Sequence, residues 1–227
     1  MNQNLVEIVA VIDRSGSTKN ITGSLVEGFK EFISSQLVGP GDANISVYTF
    51  DDYVEPRLIS LDLKNVKTLI DKSLDQWFAP RGMTALYDAI GHAIDETGNR
   101  LAAMPEKDRP AKVVVITMTD GQENMSRKYS LARLREMIQT QTKQFSWDFV
   151  FVGANQDAVL TAEAMGMSKM SAVTFDANEI HTRSVMSSVA NYTTRARAYA
   201  CASGVDIEPV LNAFTELERE AAVSSTP

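Results

Sequence analysis

The sequence Ile8-Val9-Ala10-Val11-Ile12-Asp13-Arg14-Ser15-Gly16-Ser17 contains the feature that decides the fold. In it, a run of mostly β-branched apolar residues ends abruptly in an acid, two hydroxyls and a glycine. Such a run predicts a strand that is buried on both faces, as in the centre of a parallel sheet. The polar residues that follow it are then expected at the mouth of the sheet, where they can form a site.

The composition is that of a soluble globular protein with one large domain. The chain has 227 residues, of which 44% are hydrophobic and 22% are charged. Its net charge of −7 argues against nucleic acid as a partner. Cys201 is the single cysteine, which excludes an internal disulfide, and we expect it to be buried. The first apolar run is too short for a membrane helix, so we expect a cytoplasmic protein that does not enter a membrane.

Predicted strands and helices alternate along the rest of the chain. Strands are predicted at 5–12, 44–50, 53–61, 112–118, 148–152 and 170–175. Helices are predicted at 21–37, 63–77, 83–104, 130–142, 157–165, 178–202 and 208–222. Asp51-Asp52 is interpreted as the turn of an antiparallel hairpin. The pattern predicts a Rossmann-like, doubly wound α/β fold, with a mostly parallel six-stranded sheet, one antiparallel edge strand and helices on both faces.

Oxygen-bearing side chains follow two of these strands. Asp13, Ser15 and Ser17 come after the first strand, and Asp120 comes after the strand at 112–118. Thr84 is expected to approach from the loop before the third helix. Because ligands of such sheets bind beyond the carboxyl ends of the strands, these groups are expected to form one ring of oxygens. Carboxylates and hydroxyls suit a hard divalent cation such as Mg²⁺, with at least one position left for an outside ligand.

Each part of this ring also has a purely structural interpretation. The Asp13–Ser17 stretch alone is compatible with a turn and a helix cap, Thr84 alone with a helix N-cap, and Asp120-Gly121 alone with a turn. Their joint placement favours the metal site.

Three motifs carry a family resemblance: D-R-S-G-S at 13–17, G-M-T-A-L-Y-D-A at 82–89 and T-D-G at 119–121. In this order they resemble the metal-ion-dependent adhesion site (MIDAS) of von Willebrand factor type A (VWA) domains, of the stand-alone type found in bacteria and phages. The resemblance covers about residues 5–202. We therefore divide the chain into a VWA domain at 1–203 and a C-terminal helix and tail at 204–227.

The resemblance implies a role for each motif residue. Ser15 and Ser17 would coordinate the metal directly, as would Thr84 in the binding-competent state, whereas Asp13 and Asp120 would act mainly through water. The metal would be Mg²⁺, with Mn²⁺ or Ca²⁺ as alternatives. The implied function is not enzymatic: the module captures a Glu or Asp side chain of a partner protein, as a scaffold or regulator of an intracellular complex.

Two other functions stay open at this stage. One is a metal-dependent phosphoryl hydrolase with Asp13 as nucleophile, although Ser15 stands where a haloacid-dehalogenase-like site needs a second acid. The other is a structural subunit that forms homo-oligomers through its C-terminal helix. The apolar stripe of that helix is predicted to comprise Val210, Leu211, Phe214 and Leu217.

Several further residues have structural and functional interpretations. Asn155, Gln156 and Asp157 are expected at the rim of the site or at a helix cap. Core packing is the first interpretation of Met165, Met167 and Met170, and a partner surface is the second. Asp88 and Asp95 are expected to be solvated or paired. His92 and His181 lack zinc-like spacing and are assigned to the surface or to packing.

Overall fold

The computed structural model describes residues 1–154, 157–202 and 213–223. In this part of the chain six strands form one sheet in the order β3-β2-β1-β4-β5-β6. The strands are β1 (Asn2–Asp13), β2 (Asp42–Phe50), β3 (Val54–Asp62), β4 (Pro110–Thr119), β5 (Asp148–Ala154) and β6 (Ala172–Phe175). All neighbours pair in parallel except β3, which runs antiparallel to β2 at the edge of the sheet. The predicted fold class is confirmed.

Helices cover both faces of the sheet. They are α1 (Thr22–Leu37), α2 (Lys67–Trp77), α3 (Leu86–Ala103), α4 (Leu131–Phe145), α5 (Ala158–Ala164), α6 (Glu179–Cys201) and α7 (Glu216–Glu220). Alternate residues of β1 point into two cores: Ile8 packs in the core with α1, α2 and α6, and Val9 packs in the core with α3, α4 and α5. Burial on both sides explains why β1 is apolar at nearly every position.

The strand order places the predicted site. β1 lies between β2 and β4, so the connections after β1 and β4 leave the sheet in opposite directions. Ile12 pairs with Met118, so the polar residues after each of these strands emerge side by side. This is the point at which ligands bind in doubly wound sheets.

The C-terminal helix differs from its prediction. Among the described residues of that region only Glu216–Glu220 is helical, and Leu217 is 76% exposed instead of facing the domain. Phe214 is buried as expected. Val210 and Leu211 lie outside the described residues. The helix begins at Glu216, after Thr215 as its N-cap, because the side chains of Thr215 and Glu218 form a capping box. This start differs from the predicted one at 208 and changes which side chains face the domain.

Two smaller differences concern helix starts. α3 begins at Leu86 with Ala85 as its N-cap, so Thr84 does not cap it. The region predicted as one helix at 63–77 is a short 3-10 turn, Leu63–Asn65, followed by α2. None of the helices in the described part of the chain combines the length and the apolar character that crossing a membrane requires.

Candidate metal site

Asp13 is held at the end of β1 by two hydrogen bonds. Its Oδ1 accepts from the Ser15 backbone N–H at 2.6 Å, and its Oδ2 accepts from the Thr119 hydroxyl at 2.5 Å. The residue is only 1% exposed. Asp13 therefore joins the loop after β1 to the end of β4, and its carboxylate is fixed in place.

The two serines of the first motif lie against each other and against the end of β4. Ser15 Oγ is 3.0 Å from Ser17 Oγ, and Ser17 Oγ donates to Asp120 Oδ1 at 2.6 Å. Ser15 precedes a 3-10 turn, Gly16–Asn20, but its side chain makes no capping hydrogen bond. The cap interpretation of this hydroxyl is therefore wrong, and its oxygen faces the other oxygens of the site.

Thr84 reaches the same place from the loop between α2 and α3. Backbone hydrogen bonds join this loop to the one after β1: Gly16 N–H donates to Gly82 O at 3.1 Å, and Arg81 N–H donates to Arg14 O at 2.8 Å. A Cβ atom built on Gly121 would lie 2.7 Å from Thr84 Oγ1 and 3.5 Å from Ser17 Oγ. The structure thus brings all three motifs together, and Gly121 leaves the room in which they meet.

Among the described residues, no cationic side chain is paired with either of the two carboxylates of the site. Neither Asp13 nor Asp120 forms an ion pair within residues 1–154, 157–202 and 213–223. Burial raises the pKa of Asp13 to about 6, against the hydrogen bonds from Thr119 and Ser15 that lower it. Burial also raises the pKa of Asp120, and the hydrogen bond from Ser17 opposes this. Buried carboxylates without a cation are costly to ionise, so a bound cation would stabilise their charged forms.

The spacing of the serine hydroxyls fits an octahedral cation. Magnesium–oxygen distances of about 2.0–2.1 Å imply neighbouring ligand oxygens about 2.9 Å apart, and the two serine oxygens are 3.0 Å apart. In the described residues no three His, Cys, Asp or Glu side chains cluster as a metal site would require. The candidate site has two carboxylates only, and its other three oxygens come from Ser15, Ser17 and Thr84.

A neighbouring ion cluster was missed in the sequence. It comprises Arg14, Asp51, Glu55 and Arg81: Arg14 Nε lies 3.0 Å and Arg81 Nε 2.5 Å from Asp51 Oδ2, and both arginines also contact Glu55. Asp51 and Asp52 do form the predicted turn. Asp51 O also accepts from Ala85 N–H at 2.9 Å, so the ion cluster holds the Thr84 loop against the hairpin.

A second set of missed contacts fixes Thr84 from the other side. Thr84 N–H donates to Asn124 Oδ1 at 2.9 Å, and Asn124 N–H donates to Thr84 O at 3.1 Å. Glu123 accepts from Tyr87 N–H at 2.9 Å. Asp88, expected to be solvated or paired, accepts from the backbone N–H groups of residues 127–129. In the sequence, the only signal for the loop at 120–129 is the T-D-G motif at 119–121 and the polar residues after it, and this signal does not indicate the contacts with Thr84.

The other predicted residues lie away from the site or outside the description. Asn155 and Gln156 are outside the described residues, and Asp157 caps α5. Met165 and Met167 are buried, whereas Met170 is 49% exposed. His92 lies against Tyr48 and Glu96, and His181 contacts Asn178. Cys201 is half-buried rather than buried. Asp95 accepts from the Tyr129 hydroxyl at 2.6 Å.

Solved structures of low sequence identity share this fold. Proximal thread matrix protein 1 from the mussel byssus is 20% identical, with a TM-score of 0.59 over 85% of this chain and 47% of its own. The D319A mutant of the PilB minor pilin from Streptococcus sanguinis is 11% identical, with a TM-score of 0.61 over 90% of this chain and 64% of its own. A von Willebrand factor type A structure from Catenulispora acidiphila is 17% identical, with a TM-score of 0.55 over 86% of this chain and 42% of its own.

This chain thus spans between 42% and 64% of the length of these proteins, and the likeness concerns the fold. No curated protein sequence matches the chain significantly. The family model of the von Willebrand factor type A domain matches residues 7–195, which is most of the chain. The chain belongs to the von Willebrand factor type A domain family.

Proposed function

We propose that the protein is a Mg²⁺-dependent binding module that captures an acidic side chain of a partner protein. The observation that carries this proposal is the contact between Ser15 and Ser17 at 3.0 Å, beside Asp13 and Asp120, with no cationic side chain paired to either acid in the described residues. The residues supply oxygens and negative charge. A cation from outside would complete the site.

The geometry supports a division of roles among the five residues. Ser15, Ser17 and Thr84 are proposed as direct ligands because their hydroxyls face one another and cap no helix. Asp13 and Asp120 are proposed to act mainly through water, since each already accepts hydrogen bonds from side chains of the site loops. When bound, Mg²⁺ would supply a positive charge that these residues leave under-neutralised. A carboxylate of a partner is the ligand that such a charge favours.

The identity of the cation is part of the proposal. An all-oxygen donor set favours Mg²⁺, and Mn²⁺ or Ca²⁺ are the alternatives. One structure of the mussel byssus protein has its MIDAS motif occupied by zinc, so a related site accepts a divalent ion other than Mg²⁺. The proposed cytoplasmic role as a scaffold or regulator, and an origin in bacteria or phages, rest on the resemblance of the motifs and on the single cysteine.

The geometry argues against the phosphoryl hydrolase. A nucleophilic Asp13 would need an oxygen presented to substrate, but the residue is 1% exposed and both oxygens accept short hydrogen bonds. His92, a residue of α3, contacts Tyr48 and Glu96 and not Asp13, so it is not placed to serve as the base. Binding therefore accounts for the site better than catalysis does.

The test is capture of a partner from native extract on immobilised protein, with Mg²⁺ or with EDTA. We expect proteins that the wild type retains only with Mg²⁺ and that Asp13→Asn does not retain. Lys64→Ala is the matched control, because Lys64 is 65% exposed and pairs with Asp42 away from the site. Replacing Asp or Glu residues of the captured partner by amides should then abolish its retention. Equal retention by the wild type with Mg²⁺ and with EDTA, or equal retention by the wild type and Asp13→Asn with Mg²⁺, would refute the proposal.

A further inference from the structure

Helix α3 is capped by side chains of a distant loop. Its own N-cap residue, Ala85, forms no capping hydrogen bond through a side chain. Instead, Tyr87 N–H donates to Glu123 Oε2 at 2.9 Å, and Asp88 N–H donates to Ser126 Oγ at 3.0 Å. These are the second and third N–H groups of the helix, which an N-cap side chain normally binds. The loop after β4 therefore does the work of the missing cap.

The Glu123 carboxylate is the centre of this arrangement. Besides Tyr87 N–H, its Oε2 accepts from the Ser126 hydroxyl at 2.6 Å. Its Oε1 accepts from the backbone N–H groups of Met125 at 2.8 Å and Ser126 at 2.7 Å. Both oxygens are thus used within the loop and at the start of α3. Because one side chain shapes the loop and caps the helix, the two segments hold their relative position through it.

The start of α3 also binds the loop in return. The Asp88 carboxylate accepts from the backbone N–H groups of residues 127–129 at 2.8 to 2.9 Å. Thr84, two residues before the helix, exchanges two hydrogen bonds with Asn124, at 2.9 and 3.1 Å. Hydrogen bonds that run in both directions between two segments form a network that fixes them against each other.

We call the hydrogen bonds between residues 84–88 and residues 123–129 the α3 clamp. The clamp joins two parts of the candidate metal site, because Thr84 begins the first segment and Asp120 lies three residues before the second. The two parts approach closely at Gly121, where an added Cβ would lie 2.7 Å from Thr84 Oγ1. The clamp therefore determines where the Thr84 hydroxyl lies relative to the Asp120 carboxylate.

We propose that Glu123 is a positioning residue of the metal site, which holds Thr84 beside Asp120 at the spacing that Mg²⁺ requires. This inference rests on the proposed function, because it takes Thr84 as a ligand. Mg²⁺ needs near-ideal octahedral geometry at about 2.0–2.1 Å, whereas Ca²⁺ accepts oxygens at about 2.3–2.6 Å in a flexible geometry. A loosened Thr84 thus weakens magnesium binding more than calcium binding. Glu123 controls the selectivity between the two ions without touching either.

Calorimetric titration of the full-length protein with Mg²⁺ and with Ca²⁺ tests this role. Glu123→Gln keeps the size of the side chain but replaces one acceptor oxygen by an amide nitrogen, which cannot accept. We expect magnesium affinity to fall about tenfold, as is typical when a residue that supports a metal ligand is changed, and calcium affinity to fall less. Unchanged magnesium affinity, or an equal fall for both ions, would overturn the proposal.

Asn178→Ala is the matched control for the loss of a helix cap. Asn178 caps α6, after the edge strand β6, and its side chain accepts from His181 N–H at 3.0 Å. The variant loses a capping hydrogen bond of the same kind and should keep the magnesium and calcium affinities of the wild type. A shift of selectivity in Asn178→Ala equal to that in Glu123→Gln would show a general effect of lost caps and would contradict the role of Glu123.

A double-mutant cycle separates positioning from a general effect on folding. If Glu123 acts through Thr84, Glu123→Gln changes the magnesium affinity of Thr84→Ala much less than that of the wild type. The same loss in both backgrounds would contradict the proposal. A wild type that binds no Mg²⁺ would refute the proposed function itself, and this inference with it.

Hydrogen exchange without metal tests the clamp on its own. In Glu123→Gln the amides of Tyr87 and Asp88 should exchange faster than in the wild type and in Asn178→Ala, because the cap of α3 is weakened. Equal exchange in the three proteins would contradict the proposal. If Glu123→Gln does not fold, Ser126→Ala takes its place in every measurement, since it removes the acceptor of Asp88 N–H and keeps the Glu123 carboxylate. The same shifts are expected, and the same outcomes would overturn the proposal.

Discussion

Two polar clusters lie side by side at the carboxyl end of the sheet, and neighbouring residues of one loop supply both. Asp13, Ser15 and Ser17 turn toward β4, whereas Arg14 between them turns toward the β2–β3 hairpin. In the ion cluster, the Asp51 carboxylate meets two arginines and the Glu55 carboxylate meets three, since Arg57 also pairs with Glu55. In the candidate metal site, two carboxylates and three hydroxyls meet without an arginine or lysine paired to them in the described chain.

This difference indicates that the ion cluster stabilises the fold, whereas the candidate metal site serves binding. A polar cluster whose charges are balanced inside the chain stabilises the fold and needs no ligand. A cluster that gathers negative charge and leaves it unbalanced raises the pKa values of its acids and favours a cation from solvent. The ion cluster also positions Thr84, so the balanced cluster supports the unbalanced one.

The largest expected effect is a loss of folding stability when the ion cluster is broken. Arg14→Ala removes a guanidinium from a pair whose side chains are 3% and 2% exposed, which leaves the Asp51 carboxylate buried with one partner fewer. Breaking such a pair costs about 3–5 kcal/mol. We expect a loss of this size in the free energy of unfolding, measured by urea denaturation without metal. Lys64→Ala, which breaks an exposed pair, is the control and should change it by less than about 1 kcal/mol. Similar small losses in both variants would show that the ion cluster is not structural.

The next effect is a pH dependence of the folding stability, which arises from Asp13 in the candidate metal site. The pKa of Asp13 is about 6 in the folded protein, above its ordinary value of 3.8. The folded state therefore binds the proton more tightly, and this group's stability contribution is full below pH 3.8 and lost as the pH rises through 6. With EDTA present, the loss should be about 3 kcal/mol.

The measurement compares wild type with Asp13→Asn. The amide can keep the hydrogen bond from Ser15 and can donate to the Thr119 hydroxyl, so the variant should fold and lack this pH dependence. Mg²⁺ should remove the loss in the wild type, since it stabilises the carboxylate. Parallel stability curves for the two proteins from pH 4 to 6 would contradict this account of Asp13.

A smaller effect is expected where Gly121 gives room to the site. In Gly121→Ala the added Cβ lies 2.7 Å from Thr84 Oγ1, so Thr84 must move away from Ser17. We expect magnesium affinity to fall about tenfold, which is about 1.4 kcal/mol. Gly23→Ala is the matched control because its Cβ meets nothing within 4 Å, and its magnesium affinity should equal that of the wild type. Unchanged affinity in Gly121→Ala would mean that Thr84 does not take part.

Most of the sheet could be predicted from the sequence because its cause is local. β1 and β4 are runs of apolar residues, and the residues that follow them include Asp13, Ser15 and Asp120, so strand and site are encoded together. The hairpin is marked by alternation and by Asp51-Asp52. The meeting of the three motifs followed from the topology of a doubly wound sheet, which places the ends of β1 and β4 side by side.

Contacts between residues distant in sequence could not be predicted. The partners of Arg14 lie 37, 41 and 67 positions away, so its role in the ion cluster depends on the folded hairpin and loop. The prediction of which face of α7 is buried was wrong for a related reason. An apolar stripe counted from 208 puts Leu217 inward, but the Thr215–Glu218 capping box and the contact of Arg219 with β6 set the orientation, and Leu217 is exposed.

Calorimetric titration of the metal-free protein with Mg²⁺, for wild type and Asp13→Asn, tests the central claim most directly. The claim is that the cluster around Asp13 lacks a positive charge that a divalent cation supplies. It predicts saturable binding at a single site in the wild type and none in Asp13→Asn, with both proteins folded. No binding to the wild type, or equal binding to both proteins, would contradict it.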